Sequence, residues 1–264
     1  AESGHWDIFS IVGPISIVGT DRDGRTTGRI QAAYSGSVSG LATATVLQSD
    51  YTAWTSYQYA NTRLVSTRVY DDIPSSGTGT SGVNYEQTSY GYEGFGQGKK
   101  GRQNKTVAPD GTITRLLLDA RGHVLETWIG TDDTGATDAD PTGASTSGNN
   151  MVLVSESTYS ADGNQLTSTS HADASHSYTT QYQYDWRDRP TDALTPANVV
   201  THSEYDNRGR ALWAKTYASA DFTVSTGELR AQTHNLYDAR GQVYESDVYE
   251  VDQQDATNPG TVGD

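Results

Sequence analysis

Four aspartates near the middle of the chain carry oxygens of the kind that binds calcium. Asp132, Asp133, Asp138 and Asp140 belong to a stretch of small and polar residues, 130–150. Calcium takes several oxygen ligands from a flexible loop. The spacing here lacks the alternating ligands and the terminal glutamate of the twelve-residue calcium loop. The stretch therefore predicts a solvated acidic insertion, the most flexible or protruding part of the chain, and calcium binding stays open.

Six histidines are candidate metal ligands, but they are scattered along the chain. Only His171 and His176 are close in sequence, and two residues five apart on one strand face opposite sides of a sheet. Such a pair cannot close around one zinc ion. The sequence therefore predicts no metal site among His5, His123, His171, His176, His202 and His234.

Nucleophiles and phosphate loops are not indicated either. Serine is abundant, but no Gly-x-Ser-x-Gly motif is present. Residues 94–101 are rich in glycine and lysine, yet they lack the Gly-Lys-Ser/Thr ending and the helix that a phosphate loop requires, and they predict a mobile turn. We expect no catalytic, cofactor-binding or metal site, no cofactor and no enzyme activity.

Aromatic side chains are the remaining candidates for binding. Trp54, Tyr57 and Tyr59, or Trp186 and Trp213, could form a flat platform on which a sugar stacks. The same spacing is also typical of packing between neighbouring strands. Carbohydrate binding is therefore the alternative from a different functional class.

A repeated motif indicates the elements that carry these residues. Tyrosine or leucine is followed by aspartate, two variable residues and a turn residue at four places, and a fifth place keeps the tyrosine but has a displaced acid. The anchors, residues 118, 159, 184, 205 and 237, are 41, 25, 21 and 32 residues apart, so the repeat accommodates insertions. The units are 118–123, 184–189, 205–210, 237–242 and, with the displaced acid, 159–164.

Each residue of the motif has a role in a β-hairpin. Tyrosine favours strands and offers a broad ring to a neighbouring strand, with its hydroxyl at the wet edge. Aspartate at the first turn position accepts hydrogen bonds from backbone amides and holds a type I turn. Glycine three residues later takes a positive φ and forms a bulge. The motif therefore predicts strand, turn and strand, with its acids and arginines serving the turns.

The Tyr-Asp-x-x-Gly-Arg units resemble the YD repeats of the RHS family, which also occur in teneurins and toxin-complex shells. The resemblance covers residues 20–250 and is clearest in the last three units. It implies a long β-sheet that spirals into a hollow shell, and a scaffold in place of an active site. Asp140-Pro141-Thr142-Gly143 is similar to the Asp-Pro-x-Gly signature near the end of such shells, where self-cleavage can occur. More repeats follow it here, so that activity is not carried over.

Composition limits the partners. The net charge of −15 disfavours nucleic acid and anionic membrane surfaces. No cysteine is present, so the chain has neither disulfides nor thiol chemistry. Leu, Ile, Val and Phe together number only 42, which at this net charge is typical of a disordered chain. The 17 Tyr and 5 Trp, and the clean alternation of apolar and polar residues, instead favour an ordered, thin sheet.

The fold class that follows is all-β, an array of antiparallel hairpins in an extended, curved or spiralling sheet. We expect one domain over residues 1–264, with an insertion at 130–150, a shorter one at 218–227 and a tail or connector at 252–264. Residues 8–18 are apolar but broken by Gly13-Pro14, which predicts two short strands in place of a membrane span. Residues 16–34, 61–70, 85–92 and 113–118 predict hairpin strands, and 42–59 a strand-rich region.

The predicted function is structural. The chain begins at Ala1 without distinct caps, which favours a segment of a longer secreted or cell-surface repeat protein. Three assemblies fit: a shell around a toxin or other cargo, an adhesive stalk, and a self-assembling fibre or tube. The expected partners are further repeats or other copies, joined at the strand edges near residues 11–18 and 242–251, and a cargo or surface glycan is a further candidate.

Overall fold

A computed structural model describes residues 9–10, 13–34, 37–38, 46–96, 99–145, 147–249, 251–252 and 261–262. The structure is all-β, as predicted. The three helices of these residues are single 3₁₀ turns (Gln48–Asp50, Gly143–Ser145 and Thr226–Glu228), and none has the length or apolar character to cross a membrane. The strands are β1 Phe9–Ser10, β2 Gly13–Thr20, β3 Thr26–Tyr34, β4 Ser37–Val38, β5 Tyr51–Ala60, β6 Arg63–Tyr70, β7 Tyr85–Tyr92, β8 Phe95–Gly96, β9 Lys99–Lys100, β10 Gln103–Val107, β11 Ile113–Leu118, β12 Val124–Gly130, β13 Val152–Tyr159, β14 Gln165–His171, β15 Ser177–Tyr184, β16 Pro190–Leu194, β17 Val199–Tyr205, β18 Ala211–Ala218, β19 Leu229–Tyr237, β20 Val243–Tyr249, β21 Val251–Asp252 and β22 Thr261–Val262.

Sixteen strands form one antiparallel sheet in which each strand pairs with the next strand of that sheet, so that β3 pairs with β5 and β7 with β10. The sheet begins with β2 and ends with β20, the two strands predicted to lie at its edges. Three pairs of two-residue strands, β1–β4, β8–β9 and β21–β22, stand outside it. The chain divides into two compact units, Ala1–Arg115 with Ile129–Met151, and Leu116–Trp128 with Val152–Asp264, and we describe each unit by itself.

In the first unit, apolar and aromatic side chains form a row across five strands. Ile17 pairs with Ile30, which pairs with Trp54. The Trp54 ring stacks on Tyr70 with centroids 3.9 Å apart, and Tyr70 is tilted against Tyr85 at 5.2 Å. Tyr70 and Tyr85 are each only 7% exposed. Aromatic rings thus supply the buried area that the low aliphatic content does not.

In the second unit, the corresponding row is mostly aliphatic. Leu194 pairs with Val200, Val200 pairs with Tyr217, and Tyr217 pairs with Leu229. Val200 is fully buried, and Leu194 and Leu229 are each 6% exposed. The core is therefore a narrow line across the strands, as expected where each hairpin packs only on its neighbours.

Several sequence predictions are confirmed in detail, and two are wrong. Strands β7 and β11 have the predicted bounds, and the predicted hairpin around residues 21–24 joins β2 to β3. Residues 8–18 contribute to two strands, as predicted, but Gly13 and Pro14 are the first two residues of β2 and do not separate it from β1. His171 and His176 do not share a strand, because Ala172 donates to the carbonyl of His176 and closes a turn between them. His5, residues 11–12 and 42–45, and most of the tail lie outside the described residues.

Candidate functional site

The predicted turns are the most regular feature of the second unit. In the turn after β17, the amide of Asp206 donates to the Arg210 carbonyl at 2.9 Å, and the amide of Gly209 donates to the Asp206 carbonyl at 3.0 Å. Gly209 has a φ of +86°, and the pairing register shifts next to the turn, which is the predicted bulge. The same two backbone bonds close residues 119–123, 160–164, 185–189 and 238–242.

The turn aspartate binds both backbone and arginine. One Asp206 carboxylate oxygen accepts from the amides of Arg208 and Arg210 at 2.8 and 2.9 Å. The other accepts from the Arg210 Nε at 2.6 Å. The Arg210 amide, followed by its side chain, holds the pKa of Asp206 below its ordinary value. Asp185 and Arg189 repeat this arrangement, with Nε donating at 2.7 Å.

Each motif tyrosine bonds to the hairpin before it. The Tyr237 hydroxyl donates to the carbonyl of Ala211, the first residue of β18, at 2.8 Å. The acceptor is the first residue of the preceding hairpin's outgoing strand in every other case in this unit: Tyr205 donates to Pro190 at 2.8 Å, Tyr184 to Gln165 at 2.9 Å and Tyr159 to Val124 at 3.3 Å. The prediction that these hydroxyls face water overlooked this acceptor.

At two of these turns, the arginine that follows the turn covers the ring of the next motif tyrosine. The Arg210 guanidinium lies 4.5 Å from the centroid of the Tyr237 ring, and Arg189 lies 4.5 Å from that of Tyr205. Arg189 also donates to the Asp206 carbonyl at 3.2 Å, and Arg210 to the Asp238 carbonyl at 3.4 Å. We call the tyrosine hydroxyl bond together with the side chain over the ring a hairpin contact.

The hairpin contact has a direction and a variable member. The later hairpin supplies the tyrosine, and the earlier one supplies the carbonyl and the side chain that follows its turn. His123 takes the place of arginine and stacks on the Tyr159 ring at 4.6 Å. Asn164 occupies the same position in its turn and donates to the Asp188 carboxylate at 2.6 Å. The geometry therefore holds one turn against the next.

The first unit contains the arginine part of this contact at its first turn, and both parts farther along the chain. Arg25, which follows the turn at Asp21, lies 5.0 Å from the Tyr59 ring and donates to the Asn61 carbonyl. Farther along, Arg63 lies 5.2 Å from the Tyr92 ring. The Tyr92 hydroxyl donates to the Leu64 carbonyl at 2.7 Å, and burial raises its pKa.

The acidic stretch is solvated in part, but two of its aspartates pack against the rest of the first unit. Asp133, with its side chain 15% exposed, pairs with Lys105 at 2.6 Å and Arg115 at 2.5 Å, two cross-strand partners on β10 and β11. Asp138 accepts from Asn104 at 2.8 Å and from the Gly94 amide at 2.9 Å. Burial raises the pKa of Asp133, but these two cations hold it below its ordinary value overall. The stretch thus lies against its own unit.

The other two aspartates, Asp132 and Asp140, accept hydrogen bonds from amides within the acidic stretch. An Asp132 oxygen accepts from the amide of Thr134 at 2.8 Å. Asp140, in the Asp-Pro-Thr-Gly sequence, accepts from the Thr142 amide at 2.9 Å, and the Thr142 hydroxyl lowers the pKa of this carboxyl most. The four acids therefore have separate partners. Among the described residues, no three His, Cys, Asp or Glu side chains are placed to hold a metal ion.

The described histidines lie on the second unit, and each is beside one acid except His202, which is beside two. His202 lies 2.7 Å from Asp192 across β16 and β17, and its other ring nitrogen is 3.7 Å from Glu204. The other pairs are His123 with Asp119, His171 with Glu156, His176 with Asp173 and His234 with Asp247.

The tryptophans of the two candidate sugar-binding platforms differ in how far they are packed. Trp54 is packed against Tyr70, and Trp213 is stacked on His234 with centroids 4.1 Å apart. Trp186 differs, since it is 83% exposed on the turn 185–189 with the Arg187 guanidinium 4.5 Å from its ring. Of these three tryptophans, only Trp186 has a largely exposed side chain.

Similarity to known proteins is found among solved structures. No family model matches the chain, and no curated protein is similar to it. A crystal structure of TcdB2–TccC3 with Cdc42 matches over 89% of this chain and 12% of that one, with 15% identity and a TM-score of 0.49. TcdB2–TccC3 without its hypervariable C-terminal region matches with the same coverage and TM-score at 16% identity.

A third match is the Tc holotoxin pore of Photorhabdus luminescens. It covers 90% of this chain and 11% of that one, at 16% identity and a TM-score of 0.44. The chain therefore spans roughly an eighth of the length of these Tc toxin chains.

Proposed function

We propose that this chain is a non-enzymatic scaffold, a wall segment of a secreted or cell-surface YD-repeat assembly. The observation that carries the proposal is the hairpin contact, in which the residues most suited to chemistry are used to hold neighbouring turns. Tyrosine, arginine and aspartate recur there in one geometry along successive hairpins, which suits a wall that grows by repetition.

The wall grows through the edge of its sheet. Strand β20 is the last of the sheet, and its Val243, Tyr244 and Val248 are 50%, 63% and 77% exposed. It carries no proline or lysine, the residues that commonly protect an edge from a further strand. Further repeats or other copies of the chain are the proposed neighbours, and a closed shell around cargo is the narrower form of the proposal.

Electron microscopy with hydrogen exchange tests the scaffold. As protein concentration rises, we expect edge-joined particles, and the amides of β20 should become protected while those of the 172–176 turn stay unchanged. A closed cage, a filament and a patch of sheet would distinguish shell, fibre and stalk. Single particles with an unprotected β20 at every concentration would contradict the proposal. A broad hydrolase screen should find no turnover, and turnover abolished by one substitution would also contradict it.

Trp186 supports a second candidate, an adhesion module that binds a surface glycan. An exposed indole beside a guanidinium offers a stacking face and hydrogen-bond donors to a sugar. A glycan array probed with the chain and with Trp186→Ala tests this candidate. Binding lost in that variant and kept in Tyr178→Ala, which removes another exposed ring, would favour it.

A further inference from the structure

The exposed end of the last hairpin matches the surface that every earlier hairpin of the second unit offers to its successor. Tyr237 pairs with Val243 across the turn, as Tyr205 pairs with Ala211 and Tyr184 with Pro190. Val243 is therefore the equivalent of residues whose carbonyls accept a tyrosine hydroxyl. Among the described tyrosines, none donates to the Val243 carbonyl.

The residue that follows this last turn is not an arginine. Gln242 stands where Arg189 and Arg210 cover the next tyrosine ring. Its amide closes the turn by donating to Asp238 at 2.8 Å, so the turn itself is intact. The side of β20 thus keeps the carbonyl half of a hairpin contact and has an uncharged side chain in place of the guanidinium.

The other edge of the sheet offers no matching tyrosine. Thr20 pairs with Thr26 across the first turn and precedes Asp21, so it occupies the tyrosine position of its hairpin. Its short side chain lacks the ring that an arginine covers, and its hydroxyl sits closer to its own backbone. A head-to-tail contact between β20 and the β2 of another copy would therefore lack the hairpin contact.

We propose that the β20 edge docks a further hairpin whose incoming strand ends in tyrosine before an aspartate turn, in preference to the β2 edge of a second copy. The partner adds a strand to β20 and donates its tyrosine hydroxyl to the Val243 carbonyl. The inference rests on the proposed scaffold function, and it names the partner by the contact that four earlier turns make in the same unit.

Peptide titration of the whole chain tests the inference. The probe is a fluorescent peptide of residues 229–249, a hairpin whose incoming strand ends in Tyr237, with two comparison peptides. One carries Phe at position 237, and the other spans residues 13–34 with Thr20. We expect the tyrosine peptide to bind about fivefold more tightly than the phenylalanine peptide, the effect of one net hydrogen bond. The Thr20 peptide should bind more weakly than both.

A gain-of-function variant completes the test. Gln242→Arg restores the guanidinium and should tighten binding of the tyrosine peptide by about two- to fivefold. Ala172→Arg adds the same charge in an exposed turn at the other end of the strands and should leave affinity unchanged.

The outcomes separate the inference from the scaffold proposal. Equal affinity of the tyrosine and phenylalanine peptides, tighter binding of the Thr20 peptide, or no binding at all would overturn the inference. If β20 still becomes protected as copies associate, the scaffold proposal stands. Tyrosine-dependent binding without self-association would instead support the inference and remove the self-assembling form of the scaffold.

Discussion

The two ends of the strands in the second unit are built on different principles. At one end, five turns share one length, one pair of backbone bonds and an aspartate or serine at the first position. At the other end, the connections 172–176, 195–198 and 219–228 differ in length, although residues 195–199 are closed by the same two backbone bonds. The uneven spacing of the motif therefore arises at the end where no hairpin contacts occur, and length is constrained only where neighbouring turns touch.

Of the substitutions that test this comparison, replacement of a turn glycine should lower the free energy of unfolding most. Gly209→Val places a β-branched residue at a φ of +86°, which costs about 1–3 kcal/mol of folding free energy. Asn207→Val, in the same turn at a residue without a positive φ, is the matched control. Gly241→Val should match Gly209→Val, because a Cβ at Gly241 meets no atom within 4 Å and strain alone acts. Denaturant unfolding measures the losses, and equal stability of the Gly209 and Asn207 variants would refute the turn geometry.

A second comparison uses two tyrosines of strand β15, one at each end. Tyr184→Phe removes a hydroxyl that donates to the Gln165 carbonyl and should cost about 0.5–1.5 kcal/mol. Tyr178 is 54% exposed at the other end, and none of the described residues accepts from its hydroxyl. Tyr178→Phe should therefore leave the free energy of unfolding unchanged. Equal losses in the two variants would contradict the distinction between the two ends.

The turn acids should have smaller effects and differ among themselves. Asp206→Asn keeps one oxygen for the backbone amides but replaces the oxygen that pairs with Arg210 at 2.6 Å. Asp238 has Gln242 in that place, so Asp238→Asn should lower the melting temperature less than Asp206→Asn does. Both should be milder than Gly209→Val. A larger loss from Asp238→Asn would show that the arginine adds nothing to the turn.

The same acids predict how stability depends on pH. Hydrogen bonds from Arg189 and Arg210 lower the pKa values of Asp185 and Asp206 in the folded chain. As pH falls, the unfolded chain therefore takes up protons at these aspartates before the folded chain does. Their contribution to the free energy of unfolding is complete above about pH 5, and it is lost as pH falls below about 3.9, the ordinary pKa of aspartate, through the lowered pKa values of the folded chain. Denaturation midpoints between pH 3 and 7 measure this loss. The slope should be shallower in Asp206→Asn, and an unchanged slope would contradict the assignment.

The sequence predicts the turns because every determinant is local. Asp206, Gly209 and Arg210 lie within one turn, and their spacing alone indicates its hydrogen bonds and bulge. The hairpin contact was missed because Tyr237 and Ala211 are 26 residues apart, and nothing local marks a carbonyl as an acceptor. The recurrence of arginine after the turn was the available signal, and it was interpreted as part of the turn alone.

The contacts of the acidic stretch were missed for the same physical reason. Its composition is that of a solvated loop, and its partners Lys105 and Arg115 are separated from Asp133 by 28 and 18 residues of sequence. Only the pairing of β10 with β11 brings Lys105 and Arg115 together, so that both contact Asp133. Long-range ion pairs of this kind require the register of the sheet, which composition does not contain.

A double-mutant cycle between Arg210 and Tyr237 tests the central claim most directly, because both substitutions occur naturally at equivalent positions of this chain. Arg210→Gln reproduces Gln242, and Tyr237→Leu reproduces Leu118, so both variants are compatible with the fold. If the hairpin contact joins successive turns, the two changes should couple by about 0.5–1 kcal/mol in the free energy of unfolding. Additivity within about 0.3 kcal/mol would show that the arginine and the tyrosine act separately, and that the guanidinium over the ring does not hold the turns together.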